Sequence, residues 1–95
     1  MVTKQTTVAG SPTKLLIVDD HPVVRKGLSL CLSGRPQFAL VGEAADGAEA
    51  LRLARSLRPH VVLLDLNLPQ VDGLTVTETL RRELPAVRIL ILSSE

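Results

Sequence analysis

Four short runs of apolar residues recur along this chain, at residues 15–18, about 38–44, 61–64 and 88–92. The first and third runs are uninterrupted, whereas the second is less regular. A run this short and this apolar predicts a β-strand that is buried on both faces, as in a parallel sheet.

The stretch after the first run predicts a helix that extends to about Gly34. Pro22 suits its first turn, where the missing N–H of proline costs nothing. The apolar positions at helical spacing are Val24, Leu28, Cys31 and Leu32. We therefore expect Cys31 in the core rather than as a reactive thiol.

Two further stretches predict helices. Asp46 precedes Glu49 by three residues, which is the spacing of a capping box, and Pro59 ends that helix. Its half-buried stripe consists of Ala50, Leu53, Ala54 and Leu57. Residues 74–84 are rich in Thr and Val and form a weak helix alone, so packing must hold it. Its inner face consists of Val76, Leu80 and Leu84.

The predicted order is βαβαβαβ, which we interpret as a doubly wound α/β domain with a parallel sheet and helices on both faces. Residues 1–13 are rich in Thr, Gly, Ser and Pro, and we expect a flexible N-terminal leader there. The domain is expected to occupy residues 14–95.

The amino-acid composition limits the classes of protein to which the chain can belong. The chain has 95 residues, 45% of them hydrophobic, a net charge of +1, and Phe38 as its one aromatic residue, which we expect in the core. These values argue for one small domain and against a base-stacking or polybasic nucleic-acid surface. No apolar run approaches the roughly 20 residues that span a bilayer, and the start is too polar for a signal peptide. With a single cysteine, a cytoplasmic location without membrane contact is expected.

Acidic residues follow two of the predicted strands. Asp19 and Asp20 come after the first, and Asp65 ends the third. Ligands of doubly wound sheets bind at the carboxyl ends of the strands, where these acids would converge and repel one another. Carboxylates favour Mg²⁺ or Mn²⁺, and beside such an ion a carboxylate can accept a phosphoryl group as an aspartyl phosphate. Ser93, after the fourth strand, is placed to bond a phosphoryl oxygen.

Plainer roles account for other polar residues. A lone Asp after a strand is usually a turn residue or a helix cap. His21 and His60 stand at element ends beside prolines, and we expect plain loop roles for them. Arg25 and Lys26 are expected on a solvated face, although they could meet an acidic partner. No glycine-rich phosphate loop follows the first strand, which disfavours nucleotide binding.

Three motifs occur in order: LLIVDDHP at 15–22, LLDLNLP at 63–69 followed by Asp72-Gly73, and ILILSS at 89–94. Together they resemble the receiver domain of bacterial response regulators. The VGEA segment at 41–44 and the Asp46-Gly47 turn are similar to the NarL/FixJ branch, which carries LuxR-type output domains. The resemblance runs over residues 14–95 and implies the flavodoxin-like receiver fold.

This resemblance implies site roles. Asp65 would be the phosphoacceptor, and Ser93 the switch hydroxyl. Asp20 would bind Mg²⁺ directly, Asp19 directly or through water, and Asp65 and the backbone carbonyl of Asn67 would complete the metal ligands.

It also implies a signalling module rather than a metabolic enzyme. A sensor histidine kinase would donate the phosphoryl group, and the domain would catalyse its own phosphorylation and dephosphorylation. Asn67, Ser94 and Glu95 lie where family members tune the lifetime of the phosphate. A homodimer is a further implied partner, and DNA would be contacted only through a transcriptional output domain that this chain lacks.

The chain departs from the family pattern after Glu95. A receiver domain has a fifth strand, which ends in a lysine, and two more helices, and none of these follows. We expect a truncated piece of a longer protein; the alternative is that a partner chain supplies the missing layer. Either way, residues 88–92 would form an exposed edge strand.

Two rival functions remain. A phosphatase of the haloacid-dehalogenase type also uses a strand-end Asp with Mg²⁺, but it carries an Asp-x-Asp on its first strand, where this chain has adjacent aspartates. The second rival is a receiver-like interaction module that is not phosphorylated, against which the intact set of acids argues.

Overall fold

The computed structural model describes residues 11–68 and 73–92. Its elements in chain order are β1 (Thr13–Val18), α1 (Pro22–Ser33), β2 (Phe38–Ala44), α2 (Gly47–Leu57), β3 (Val61–Asp65), α3 (Gly73–Glu83) and β4 (Arg88–Leu92). The predicted βαβαβαβ order is confirmed, and the predicted boundaries differ from the observed ones by one or two residues.

The four strands form one sheet in the order β2-β1-β3-β4, and every neighbouring pair is parallel. The chain first moves from β1 to one side and then crosses back to the other, so the direction of winding reverses between β1 and β3. Val18 pairs with Leu64 across this junction. The acids that follow, Asp19 and Asp65, therefore leave the same edge of the sheet side by side.

An irregularity in β2 explains why its sequence pattern is weak. Leu15 pairs with Leu40 but Leu16 pairs with Gly42, so Val41 is an extra residue in the register. At Gly42 an added Cβ would lie 3.0 Å from Leu57 Cδ1 and 3.2 Å from Leu16 Cδ1. The bulge thus lets β2 pass closely beneath α2.

The main core lies between the sheet and the helices α2 and α3. Right-handed crossovers in opposite directions place α1 on one face and these two helices on the other. The buried cluster consists of Leu16, Val18, Ala44, Ala50, Ala54, Val62, Leu64, Leu68, Val76, Leu80 and Leu84. The inner faces predicted for α2 and α3 are confirmed, since Val76, Leu80 and Leu84 are all buried and Leu53 packs against the cluster.

The ends of α2 also match the sequence signals. Asp46 Oδ1 accepts a hydrogen bond from the Glu49 N–H, as in a capping box, and Glu49 Oε1 accepts one from the N–H of Ala45, the residue before the N-cap. The helix ends at Leu57, and its C-cap Arg58 has φ 51° and precedes Pro59. At its far end Arg55 donates to both carboxylate oxygens of Glu83, at 2.7 and 3.1 Å, and so joins α2 to α3.

The other face of the sheet is thinly covered, which overturns one expectation. Helix α1 has no buried residue, and Cys31 is exposed, so the prediction of a core cysteine is wrong. Within the described residues α1 packs mainly against the edge strand β2, so only a narrow stripe of it is covered. Phe38, also predicted as core, is half-buried. No described helix combines the length and the apolar character needed to cross a bilayer.

Candidate functional site

Three carboxylates meet at the carboxyl edge of the sheet. Asp19 and Asp65 are buried, at 4% and 3% exposure, and Asp20 lies beside them with a side chain that is 34% exposed. One oxygen of each acid and a ring nitrogen of His21 all lie within 4.8 Å of one another. The strand pairing of β1 with β3 produces this cluster, because Asp19 and Asp20 come after the end of β1 and Asp65 ends β3.

Two of the acids are fixed by the turns that they begin. Asp19 Oδ1 accepts a hydrogen bond from the backbone N–H of His21 at 2.8 Å. Asp65 Oδ1 accepts one from the backbone N–H of Asn67 at 2.9 Å. In both cases the amide lies two residues further on, as in an Asx turn. These bonds orient both carboxylates without using all of their acceptor capacity.

His21 takes part in the cluster, which the sequence analysis missed. Its Nδ1 lies 2.7 Å from Asp19 Oδ1, 3.1 Å from Asp20 Oδ1 and 3.8 Å from Asp65 Oδ2. The hydrogen bond to Asp19 and the charge of Asp20 raise the pKa of His21 above its ordinary value. His21 does stand in a loop, as expected, but its ring also lies within 3.8 Å of an oxygen of each acid. Its position two residues after Asp19 was the available signal.

His60 behaves as predicted. Its Nδ1 accepts a hydrogen bond from the backbone N–H of Lys14 at 2.8 Å. Its own backbone N–H donates to the Lys14 carbonyl, and its carbonyl accepts from the Arg88 N–H. His60 therefore ties together the strand starts at the edge of the sheet opposite the acids.

Arg25 is not the solvated residue that the sequence analysis expected. Its side chain is 21% exposed, and its Nη1 donates to the backbone carbonyl of Asp19 at 2.7 Å. Its Nε lies 3.4 Å from Glu43 Oε1. The Arg25 side chain thus extends from α1 to the ends of β1 and β2. Lys26 is exposed, as expected.

The chemistry of the cluster fits a hard divalent cation. Asp20 Oδ1 is buried and, within the described residues, accepts no hydrogen bond, although the His21 ring nitrogen lies 3.1 Å away. A buried carboxylate oxygen without a donor is costly unless a cation neutralises it. Oxygen ligands from several carboxylates are those that Mg²⁺ and Mn²⁺ prefer. The residues present are therefore compatible with such an ion.

The loop after β3 completes the surroundings of Asp65. Asn67 is exposed, and the Gly73 N–H donates to the Leu66 carbonyl at 3.2 Å. Thr77 Oγ1 donates to the Gly73 carbonyl at 2.8 Å inside α3. Of the other predicted site residues, Ser93, Ser94 and Glu95 lie outside the described residues, as do Pro69 and Asp72 in the loop.

A cavity elsewhere lacks comparable chemistry. It has a volume of about 460 Å³ and is lined by Arg81, Pro85, Val87, Arg88 and Ile89. These residues surround the start of β4, at the edge of the sheet opposite the acids. Its lining offers neither a carboxylate nor a hydroxyl, so we place the candidate site at the acids.

A parallel sheet in the order β2-β1-β3-β4, with acids at the reversal between β1 and β3, defines a flavodoxin-like, doubly wound α/β domain. The chain belongs to the response regulator receiver domain family, whose family model matches residues 15–95. It is thus a receiver domain of two-component signalling rather than a classical metabolic enzyme. This membership sets aside the haloacid-dehalogenase alternative.

Named relatives agree with the NarL/LuxR branch. Transcriptional regulatory protein LiaR of Bacillus subtilis (strain 168) is 42% identical over 81 residues, which cover 85% of this chain and 38% of LiaR. Nitrate/nitrite response regulator protein NarL of Escherichia coli (strain K12) is 40% identical over 82 residues, which cover 86% of this chain and 38% of NarL.

A solved structure shows the same fold. The two-component response regulator of the LuxR family from Aurantimonas sp. SI85-9A1 superposes with a TM-score of 0.83 at 42% identity, covering 90% of this chain and 61% of that one. In length, the chain spans about 38% of each of the curated relatives LiaR and NarL.

Proposed function

We propose that this domain accepts a phosphoryl group on Asp65 from a sensor histidine kinase, in a Mg²⁺-dependent reaction. The observation that carries the proposal is the position of Asp65, which ends β3 with 3% exposure inside a cluster of three acids that spans no more than 4.8 Å. Membership of the receiver family supports the same assignment.

The transfer forms one bond and breaks another. An oxygen of the Asp65 carboxylate attacks phosphorus in line, the P–N bond to the donor imidazole breaks, and that nitrogen takes up a proton. The product is a mixed anhydride on Asp65. The hydrogen bond from the Asn67 N–H to Asp65 Oδ1 orients the carboxylate so that its other oxygen, Oδ2, can attack.

Asp19, Asp20, Asp65 and the backbone carbonyl of Asn67 would hold the metal ion. A bound Mg²⁺ would neutralise charge on the phosphoryl oxygens and on the crowded carboxylates. The buried Oδ1 of Asp20 supports this assignment, since it accepts no hydrogen bond from the described residues and its contact there is the His21 ring nitrogen at 3.1 Å.

Ser93 is proposed as the hydroxyl that bonds the phosphoryl group and reports its presence to the rest of the domain. Asn67, Ser94 and Glu95 are proposed to set the lifetime of the phosphate, with Asn67 and Glu95 orienting the hydrolytic water. The half-life of the phosphoprotein in Asn67→Ala and Glu95→Ala checks this proposal; unchanged lifetimes would discard it.

The proposed output is transcriptional. LiaR is by name a transcriptional regulatory protein, and the segment that matches this chain covers 38% of it. We propose that phosphorylation of Asp65 biases a two-state switch that controls a DNA-binding output domain, with a homodimer and a sensor kinase as partners in the cytoplasm.

The proposal is tested by labelling with acetyl phosphate and Mg²⁺, followed by intact mass spectrometry. The protein should gain one phosphoryl group, and Asp65→Asn should gain none. Asp46→Asn is the matched control, because it removes a nearby carboxylate outside the cluster and Asn caps a helix as well as Asp does. Labelling of Asp65→Asn at the wild-type level would remove Asp65 from the role.

A further inference from the structure

We propose that Arg25 is a positioning residue, which holds the segment with Asp19 and Asp20 in the geometry that binds the divalent cation. This inference rests on the cation site of the proposed function. Arg25 itself contacts no reacting atom in the proposal; it acts through the backbone that carries two of the metal ligands.

The contacts tie three elements together. The backbone N–H of Arg25 donates to the His21 carbonyl at 3.1 Å, in the first turn of α1. Its side chain then returns to the end of β1, where Nη1 donates to the Asp19 carbonyl at 2.7 Å. Its Nε lies 3.4 Å from Glu43 Oε1 on β2. One side chain therefore joins the start of α1 to the ends of β1 and β2.

Both backbone polar groups of Asp19 are fixed as a result. Its N–H donates to the Ala44 carbonyl of β2 at 3.0 Å, and its carbonyl accepts from Arg25. That carbonyl belongs to the peptide unit that links Asp19 to Asp20. Because peptide units are planar, fixing this carbonyl also fixes the direction in which the chain enters Asp20.

The sign of the charge separates positioning from electrostatics. A guanidinium close to a cation site repels the cation, so removing its charge should by itself tighten cation binding. Loss of a positioning contact should do the opposite and weaken binding. A variant that lacks the side chain therefore reports which effect is larger.

Arginine suits this task better than lysine. Its planar fork presents donors in several fixed directions, so that Nη1 can reach the Asp19 carbonyl while Nε faces Glu43. A lysine keeps the charge but offers one point of contact. Arg25→Lys is therefore expected to weaken cation binding less than Arg25→Ala does.

The test measures Mn²⁺ affinity of the full chain by electron paramagnetic resonance of the free ion, since the chain has no Trp or Tyr to report binding by fluorescence. Arg25→Ala should weaken Mn²⁺ binding about tenfold, the lower range for partners that orient metal ligands. Arg25→Lys should weaken it less. Lys26→Ala removes the same charge from the next, exposed residue and should leave the affinity unchanged or slightly tighter.

A second readout separates positioning from general loss of structure. In the acetyl phosphate assay Arg25→Ala should raise the Mg²⁺ concentration for half-maximal labelling about tenfold while the rate at saturating Mg²⁺ stays near that of wild type. A merely destabilised domain would lose maximal labelling instead. Where Arg25→Ala does not fold, as judged by circular dichroism in EDTA, Arg25→Lys and Arg25→Gln decide the question by the same shift.

Unchanged or tighter Mn²⁺ binding in Arg25→Ala would overturn the inference, as would an equal loss in Lys26→Ala. The two proposals fail in different ways. If wild type binds Mn²⁺ with the predicted Arg25 dependence but Asp65 is never labelled, the phosphoacceptor assignment is wrong and the role of Arg25 stands. If labelling is intact and indifferent to Arg25, only the role of Arg25 is wrong.

Discussion

At the scale of single residues, the cluster of acids is a source of instability in the absence of a cation. Two unit charges 4.8 Å apart repel by about 3 kcal/mol at an effective dielectric constant near 20. The turn amides of His21 and Asn67 offset part of this for Asp19 and Asp65. Asp20 Oδ1 accepts no hydrogen bond from the described residues and has only the His21 ring nitrogen nearby, at 3.1 Å, so we expect neutralisation of Asp20 to matter most.

Asp20→Asn should therefore stabilise the metal-free domain by roughly 1 kcal/mol, less than the full repulsion because the side chain is 34% exposed. The same variant should lose most of the stabilisation that Mg²⁺ gives to wild type, since one ligand is gone. Urea unfolding in EDTA and in excess Mg²⁺ measures both effects.

Asp46→Asn is again the control and should change neither quantity, because Asp46 caps α2 outside the cluster. If Asp20→Asn proved less stable than wild type in EDTA and still responded to Mg²⁺, the repulsion argument would be wrong.

The acids could be located from the sequence because their position depends only on where buried strands end. His21 and Arg25 could not be assigned in the same way. Their contacts depend on how the chain turns after Asp19 and on a side chain that reaches back by one helical turn. The Val-Asp-Asp-His pattern indicates that a turn follows the strand. It does not indicate the direction in which the His21 ring or the Arg25 guanidinium points.

At the scale of elements, α3 begins in close contact with the loop that carries the site. A Cβ added at Gly73 would lie 2.6 Å from Leu66 Cα and 3.0 Å from the Leu66 carbonyl oxygen, both backbone atoms that cannot move freely. Gly73→Ala should destabilise the domain by about 1–3 kcal/mol, as overpacking does. Because Leu66 follows Asp65, Mg²⁺ affinity should fall as well.

Gly27→Ala is the matched control, since a Cβ there meets nothing within 4 Å and Gly27 lies inside α1. It should stabilise the domain by about 0.5–1 kcal/mol through the better helix propensity of alanine. Chemical denaturation of the three proteins gives the comparison. A Gly73→Ala protein as stable as Gly27→Ala would show that the contact with Leu66 relaxes freely.

The ion pair between Arg55 on α2 and Glu83 on α3 makes the stability of the domain depend on pH. The hydrogen bond from Arg55 lowers the pKa of the Glu83 carboxyl below its ordinary value of 4.5. Because the pKa of Glu83 is lower in the folded state, the pair stabilises the fold at any pH above the ordinary pKa of the carboxyl. This stabilisation is lost as the pH falls through the lowered pKa of the folded state. The stability difference between wild type and Glu83→Gln should therefore be present at neutral pH and vanish on acidification.

Thermal unfolding of both proteins from neutral to acidic pH measures this difference. Glu78→Gln, also exposed on α3, serves as the control and should track wild type more closely. A stability difference for Glu83→Gln that persists unchanged into acid would mean that the bond to Arg55 contributes nothing that depends on charge.

The elements themselves were predictable, since the periodicity of α2 and α3 and the apolar runs of β1 and β3 are read from local sequence. The extra residue in β2 and the exposure of Cys31 on α1 were not. Both depend on neighbours in space, namely the approach of Leu57 to Gly42 and the single edge strand against which α1 packs.

At the scale of the whole molecule, the site forms because β1 and β3 are neighbours in the sheet. Had β1 and β3 been separated by another strand, the acids after them would lie too far apart to share an ion, since neighbouring strands are already about 4.8 Å apart. The alternation of strands and helices restricts the order to a few arrangements, and the reversal beside β1 places both strands together.

The same sheet order leaves β4 as an edge strand within the described residues. Leu90 and Ile91 are 57% and 45% exposed, so this edge is apolar on both of its faces. Unpaired strand edges of this kind pair readily with a second chain. The 95-residue chain should therefore self-associate as its concentration rises, and Leu90→Lys should reduce this, because charge on an edge strand opposes pairing.

Sedimentation velocity over a range of concentrations measures the association. Leu74→Lys is the matched control, because Leu74 is 66% exposed on α3 and does not belong to the edge strand. It should associate as wild type does. A chain that stays monomeric throughout, or an equal reduction by Leu74→Lys, would show that the β4 edge is not the surface through which copies meet.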